Sequence, residues 1–81
     1  MGYIYLITNL INGKVYVGKT TGTLENRWKQ HVEAASRNID THLYRAIRKY
    51  GAENFKIESL YYGDENLNEL ERYYIKQYNS F

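Results

Sequence analysis

The strongest constraint on the fold is a pair of β-rich segments separated by a turn signal near the N-terminus. Residues 3–8 (YIYLIT) and 14–19 (KVYVGK) are rich in β-branched and aromatic side chains, and they flank Asn12-Gly13. An Asn-Gly pair between two such segments is the strongest short-range signal for a β-hairpin, because both residues adopt positive φ at little cost. The sequence therefore predicts an antiparallel hairpin that turns at Asn12-Gly13.

Helical periodicity and turn residues define the remaining elements. Apolar residues at helical spacing predict three helices, and a β-branched and aromatic run closed by a glycine turn predicts a third strand. The predicted helices cover residues 24–36, 41–50 and 66–79, and the strand covers residues 54–62. The order β-β-α-α-β-α indicates an α+β fold in which a small, mainly antiparallel three-stranded sheet is flanked by three helices.

Composition and charge narrow the possible classes of protein. The chain of 81 residues suits a single domain, and it has no cysteine, which excludes disulfides and thiolate metal sites. The N-terminus has no apolar run of the kind that forms a signal or a membrane-spanning segment, so we expect a cytoplasmic protein without membrane association.

The charged residues are unevenly distributed along the chain. Residues 1–56 hold nine Lys and Arg against four Asp and Glu, whereas residues 57–81 hold two against five. Such segregation fits a phosphate-binding surface beside a metal-binding carboxylate, although it also arises without function.

Three polar residues fall on apolar helix faces. Glu71 shares its face of the last helix with apolar side chains only, namely Leu67, Leu70, Tyr74, Ile75 and Tyr78. A buried carboxylate is costly without a cation, a metal or hydrogen-bond donors, so this position demands a partner. Arg27 and His31 lie four residues apart on the inner side of the first helix. Each of these two residues alone is more simply explained as a residue at the edge of the core whose polar end reaches water. Together with Glu71 they predict one shared site.

The hairpin contributes a second group of candidates. Tyr5 and Tyr16 leave the same face of the predicted sheet, as does Gly18, whose missing side chain would leave room for a ligand or a neighbouring backbone. Lys19 follows Gly18 in the chain, and its ammonium group can favour the ionised form of a nearby tyrosine. Cross-strand aromatic packing explains the two tyrosines equally well.

The second helix carries a basic outer face. Arg45, Arg48 and Lys49 are suited to general phosphate contacts, and His42 at the start of the helix is a weaker candidate. The apolar stripe opposite them is predicted to consist of Leu43, Ala46, Ile47 and Tyr50. Asp40 or Thr41 is available as the N-cap of this helix, and Gly51 is predicted to end it.

These residues together resemble a known family. The resemblance rests on Tyr3-Ile4-Tyr5, Tyr16-Val17-Gly18, Arg27, His31 and Glu71. In this order and spacing they look like the motifs of the GIY-YIG nuclease family, over nearly the whole chain. The segment YIYLITNLINGKVYVGKT is most similar in style to the catalytic domains of phage and bacterial homing-type endonucleases. Tyr3 stands where the family name has Gly, a departure that leaves the chemistry of Tyr5 untouched.

The resemblance implies a metal-dependent DNA endonuclease that hydrolyses phosphodiester bonds. Glu71 would hold one divalent ion, Mg²⁺ or Mn²⁺, and Arg27 would contact a phosphate oxygen. Tyr5 or Tyr16 would take a proton from the attacking water, and His31 would orient or relay protons. A free phenol has a pKa of about 10, so this role requires Lys19, His31 or the metal to lower it.

The same resemblance sets the expected organisation and partners. We expect residues 1–81 to form one catalytic domain that lacks a separate DNA-recognition domain, and to act as a monomer on DNA in a bacterial or phage-infected cell. Substrate contacts are expected from Gly18, Lys19, His42, Arg45, Arg48 and Lys49.

Two other functions stay open from the residues alone. The domain could be a non-catalytic nucleic-acid binder that uses its tyrosines as a stacking surface, or a protein-interaction module with a Tyr-rich interface. A nucleic-acid binder would have no need for an inward Glu71, and an interaction module would associate without metal dependence. A zinc hydrolase is disfavoured, because two distant histidines without cysteine make no recognisable zinc set.

Overall fold

The computed structural model describes residues 1–37, 41–64 and 66–78, which form three strands and three α-helices in the predicted order. The elements are β1 (Gly2–Asn9), β2 (Val15–Thr20), α1 (Leu24–Ser36), α2 (His42–Tyr50), a short 3-10 helix (Ala52–Asn54), β3 (Phe55–Gly63) and α3 (Leu67–Tyr78). The predicted α+β class is confirmed, and the predicted helix end at residue 79 lies outside the described residues. None of these helices has the length and apolar character needed to cross a membrane.

The sheet has the order β2-β1-β3, and both strand pairs are antiparallel. In the first pair Tyr5 lies opposite Gly18 and Ile7 lies opposite Tyr16. In the second pair the register shifts beside Tyr5, where β3 carries one extra residue. Such a bulge bends a strand and redirects its side chains, and this one lies next to the candidate site.

The hairpin loop corrects one detail of the prediction. A two-residue turn at Asn12-Gly13 would pair residues 11 and 14, but the structure instead joins Asn9 to Lys14 through a backbone hydrogen bond of 2.8 Å. The loop is longer because the Asn9 side chain accepts a hydrogen bond from the Ile11 amide and the Asn9 carbonyl accepts one from Gly13. Gly13 has a φ of 76°. The strand register differs from the predicted one by two residues. Because this is an even number, the side chains keep their predicted faces.

The two faces of the sheet pack against different helices. We call the face that carries Tyr5, Ile7 and Tyr16 the cleft face, and it is covered by α1 and α2. The opposite, aliphatic face carries Ile4, Leu6 and Val17, and α3 covers it. Tyr5 and Tyr16 therefore share one face, as predicted.

Local signals position the two helices that cover the cleft face. The side chain of Thr23 caps α1 by accepting from the Asn26 amide, and Thr41 caps α2 by accepting from the Tyr44 amide. Such caps satisfy amide groups that have no partner within the helix. Gly51 ends α2 with a φ of 88°, where a side chain would be strained. With α1 and α2 beginning at these caps, Arg27, His31 and Tyr44 lie over the sheet.

Candidate active site

A continuous hydrogen-bonded network joins β1, α1 and α2 on the cleft face. The Tyr5 hydroxyl lies 2.8 Å from Nε2 of His31, and Nε of Arg27 donates to the same hydroxyl oxygen at 3.3 Å. On its other side the His31 ring lies with Nδ1 3.2 Å from the hydroxyl of Tyr44. Tyr5 and His31 are buried, with exposed fractions of 3% and 6%. The inward orientation predicted for Arg27 and His31 is therefore present.

This network borders an open cleft of about 450 Å³. The candidate catalytic residues Tyr5, Tyr16, Arg27, His31 and Glu71 all line it. They come from two strands and two helices, so the cleft assembles groups that are far apart in the chain. A concave site with several convergent polar groups is the usual form of a small active site.

Burial keeps His31 neutral near physiological pH. Loss of hydration, with a further contribution from the Arg27 guanidinium, lowers the pKa of His31 from its ordinary value of 6.5 to about 4. A neutral imidazole has one donor nitrogen and one acceptor nitrogen, so it can link two hydroxyl groups.

The two candidate tyrosines have raised pKa values. Burial is the main cause for both, and Tyr50 adds to the effect on Tyr16. On Tyr5 the burial effect is opposed by the hydrogen bond and the charge of Arg27. Of the side chains around Tyr5, Arg27 rather than Lys19 or His31 acts to lower the phenol pKa, and burial outweighs it. A lower pKa caused by a bound metal stays a prediction.

Glu71 lies where α3 borders the cleft. It is half-buried, which corrects the expectation of a carboxylate enclosed within an apolar stripe. The reason is that α3 covers the aliphatic face alone and has no fully buried residue, so its flank stays open to the cleft. Within the described part of the chain its carboxylate has no salt bridge or hydrogen bond. A hard-oxygen ligand without a protein partner suits a divalent cation.

Gly18 has a different role from the one expected. A Cβ at this position would overlap the phenol of Tyr5, so the space left by the missing side chain is filled by that ring rather than by a ligand or a backbone. Gly18 thus allows Tyr5 to lie across the end of β2 and reach His31.

Comparison with known proteins identifies the family. The whole chain, residues 1–81, matches the model of the GIY-YIG catalytic domain. The chain belongs to the GIY-YIG catalytic domain family. This confirms the predicted family and a GIY-YIG-type endonuclease domain at the level of sequence and fold.

Individual relatives agree with this GIY-YIG assignment. The fold is similar to the catalytic domain of the homing endonuclease I-TevI, with a TM-score of 0.81 and 30% identity over 98% of this chain and 89% of that one. Intron-associated endonuclease 1 of Enterobacteria phage T4 is 35% identical over 95% of this chain and 33% of its own length. Uncharacterized protein 019R of Invertebrate iridescent virus 6 is 37% identical over 99% of this chain and 30% of its own. The chain thus spans about a third of the length of these two relatives.

The predicted substrate-binding residues of this GIY-YIG domain divide into two groups. Lys19 and His42 line the cleft together with Gly18. Arg45, Arg48 and Lys49 are exposed and do not line it. The Arg48 guanidinium also donates to the Ala35 carbonyl at 3.0 Å, which ties α2 to the end of α1.

Tyr44 is a site residue that sequence reasoning missed. The predicted apolar stripe of α2 included Ile47 but not Tyr44, although Tyr44 lies three residues earlier and therefore on the same side of the helix. That spacing was the available signal. A tyrosine on an inner helix face is usually explained by packing, so only the contact with His31 distinguishes this one.

Proposed function

We propose that this domain is a metal-dependent DNA endonuclease that hydrolyses phosphodiester bonds in the cleft. The observation that carries the proposal is the hydrogen-bonded set of Tyr5, Arg27 and His31 in the same cleft as Glu71, a carboxylate without an ion-pair partner among the described residues. Membership of the GIY-YIG family and the endonucleases among its relatives support it. These four groups come from three separate elements, β1, α1 and α3.

Arg27 is proposed to stabilise the charge that grows on the phosphate. Its Nε is engaged by Tyr5, and one terminal nitrogen donates to Gln30 at 3.0 Å, so the guanidinium is held in place at the cleft. A donor fixed before the reaction stabilises transition-state charge without further reorganisation. Arg27 would thus contribute to the chemical step more than to binding.

Tyr5 is proposed to take the proton from the attacking water. Of the two tyrosines, Tyr5 has the direct contacts to Arg27 and His31 that a proton-transfer group needs. Tyr16 lies on the same face and lines the same cleft. We assign Tyr16 to positioning the water or the substrate.

Glu71 is proposed to hold one divalent ion, Mg²⁺ or Mn²⁺. Among the described residues there is no cluster of three or more His, Asp or Glu that could hold a metal, so water and phosphate oxygens would complete the coordination. When bound, such an ion supplies Lewis-acid stabilisation of the phosphate and the leaving oxygen.

Substrate contacts are proposed at two distances from the reaction. Lys19 and His42 would contact the phosphate group within the cleft, which they line. Arg45 and Lys49 would contact the DNA backbone further along, from the exposed side of α2.

A plasmid-cleavage assay tests this function directly. Supercoiled DNA is incubated with the domain in Mg²⁺, in Mn²⁺ and in EDTA, and we expect nicked or linear product only with metal. Glu71→Gln should abolish cleavage because it removes the anionic ligand while keeping the side-chain shape. Glu69→Gln is the matched control, since Glu69 lies two residues away on the same helix and does not line the cleft. Equal cleavage by the two variants, or full cleavage in EDTA, would refute the proposal.

A further inference from the structure

We infer that Tyr44 is a positioning residue that determines which ring nitrogen of His31 carries the proton. By accepting a hydrogen bond from Nδ1, Tyr44 leaves Nε2 free to accept the hydroxyl proton of Tyr5. The hydrogen-bond assignment follows from the geometry alone, while its importance for cleavage rests on the proposed function.

The direction of the network follows from the needs of the buried Tyr5 hydroxyl. A hydroxyl has one hydrogen to donate, and a buried hydroxyl needs an acceptor for it. Of the two described partners of Tyr5, Arg27 can only donate. The remaining partner is Nε2 of His31 at 2.8 Å. Among the described partners of Tyr5, Nε2 is therefore the acceptor, which makes it the unprotonated nitrogen of His31.

The protonated nitrogen of His31 then faces Tyr44. In a neutral imidazole whose Nε2 accepts, Nδ1 carries the hydrogen and needs an acceptor of its own. The Tyr44 hydroxyl oxygen lies 3.2 Å from Nδ1 and is the described group that can provide this acceptor. Tyr44 lines the cleft, so its own hydroxyl hydrogen is free to donate to water there. The hydrogens of Tyr5, of Nδ1 of His31 and of Tyr44 then each have an acceptor.

This arrangement provides a path for the proton that the attacking water must lose. As the water oxygen bonds to phosphorus and the bond to the leaving oxygen breaks, the proton of the water moves to the Tyr5 oxygen. The Tyr5 proton moves at the same time to Nε2 of His31, and the leaving oxygen takes a proton from solvent. The positive ring that results is stabilised by its Nδ1 hydrogen bond to Tyr44. The concerted transfer avoids a free phenolate at Tyr5, and the imidazolium of His31, which burial and Arg27 also disfavour, forms only during the step.

The tautomer of His31 can be measured without any cleavage assay. Long-range ¹⁵N–¹H NMR spectra at neutral pH distinguish protonated from unprotonated ring nitrogens, and His31→Gln assigns the signals because His42 is the other histidine. We expect protonated Nδ1 and unprotonated Nε2 in the unaltered domain. Tyr44→Phe should raise the population with protonated Nε2, because Nδ1 has lost its acceptor. Tyr74→Phe is the matched control, as Tyr74 is a half-buried tyrosine packed on the aliphatic face.

Cleavage kinetics test the functional part. Tyr44→Phe should slow single-turnover cleavage by about ten- to a hundredfold, as is common when the partner that orients a functional histidine is lost. DNA affinity and the thermal midpoint should stay close to those of Tyr74→Phe. A purely structural role would instead change the thermal midpoint and leave the rate at saturation unaltered.

The outcomes separate this inference from the proposed function. A protonated Nε2 in the unaltered domain, an unchanged tautomer in Tyr44→Phe, or a similar shift in Tyr74→Phe would each overturn the positioning role. If the unaltered domain showed no metal-dependent cleavage, the proposed nuclease function would fail, and the NMR spectra would still decide the assignment of the hydrogen bonds.

Discussion

The two faces of the sheet bury different chemistry. The buried residues on the aliphatic face are Ile4, Leu6 and Val17, while the cleft face buries two phenols and meets the imidazole of His31. Buried polar groups lower stability unless they are hydrogen-bonded, and apolar groups of the same shape would serve a core equally well. The comparison indicates that the aliphatic face maintains the fold and that the cleft face is shaped by its chemistry. Substitutions on the cleft face should therefore affect the rate of cleavage, and substitutions on the aliphatic face should affect the free energy of unfolding.

Apart from the loss of Glu71, the largest expected effect comes from removing the Arg27 guanidinium from the cleft. Arg27→Ala should lower single-turnover cleavage by about a hundred- to a thousandfold, the usual loss for a donor aimed at transition-state charge. DNA affinity, measured by fluorescence anisotropy in Ca²⁺, should change little. Arg45→Ala should do the reverse, since Arg45 is exposed on α2 outside the cleft. A variant of Arg27 that bound weakly but cut at the normal rate when saturated would contradict this division.

The next effect comes from displacing Tyr5 without removing it. In Gly18→Ala the new methyl group overlaps the phenol, so the ring must move away from His31 and Arg27. A displacement of about 1 Å at a reacting group can cost about a hundredfold in rate. Gly22→Ala is the control, because a Cβ there meets nothing closer than 3.8 Å. Equal cleavage rates for the two variants would show that the position of Tyr5 does not matter.

Acid should lower the stability of the domain through His31 on the cleft face. The folded pKa of His31, about 4, lies below its ordinary value of 6.5, so between these values the unfolded chain binds the proton more strongly. His31 thus contributes stability that is complete above pH 6.5 and is lost as the pH falls towards 4. Urea unfolding should show a free energy of unfolding that decreases over this window. His31→Gln should flatten that decrease, and an unaltered slope in the variant would assign it to other groups.

The smallest expected effect lies on the aliphatic face. Ile4→Val removes one methylene from a side chain with no exposed surface, which typically costs about 0.5–1.5 kcal/mol of stability. Because Ile4 points away from the cleft, cleavage per folded molecule at low temperature should be unchanged. Urea unfolding and single-turnover cleavage measure the two quantities side by side. A rate that fell in proportion to stability would show that the two faces are not independent.

The predictable part of this fold is the part governed by local pattern. The β-rich segments, the helical periods, the cap at Thr41 and the stop at Gly51 all agree with the structure. The turn was less predictable, because Asn9 competes with the Asn12-Gly13 signal through its own side-chain hydrogen bond. The longer loop results from competition between two local hydrogen-bonding preferences, which the sequence alone does not rank.

The sequence by itself determined the elements, the shared face of Tyr5 and Tyr16, and the inward positions of Arg27 and His31, because periods of two and of about 3.6 residues assign each side chain to a face. Only the tertiary structure decided which inward groups meet. Tyr5 and His31 are 26 residues apart and His31 and Tyr44 are 13 apart, so their contacts depend on how α1 and α2 pack on the sheet. Ionisation was decided at the same stage. The pKa of a group depends on its burial and on the charges beside it, and both exist only once the helices cover the cleft face.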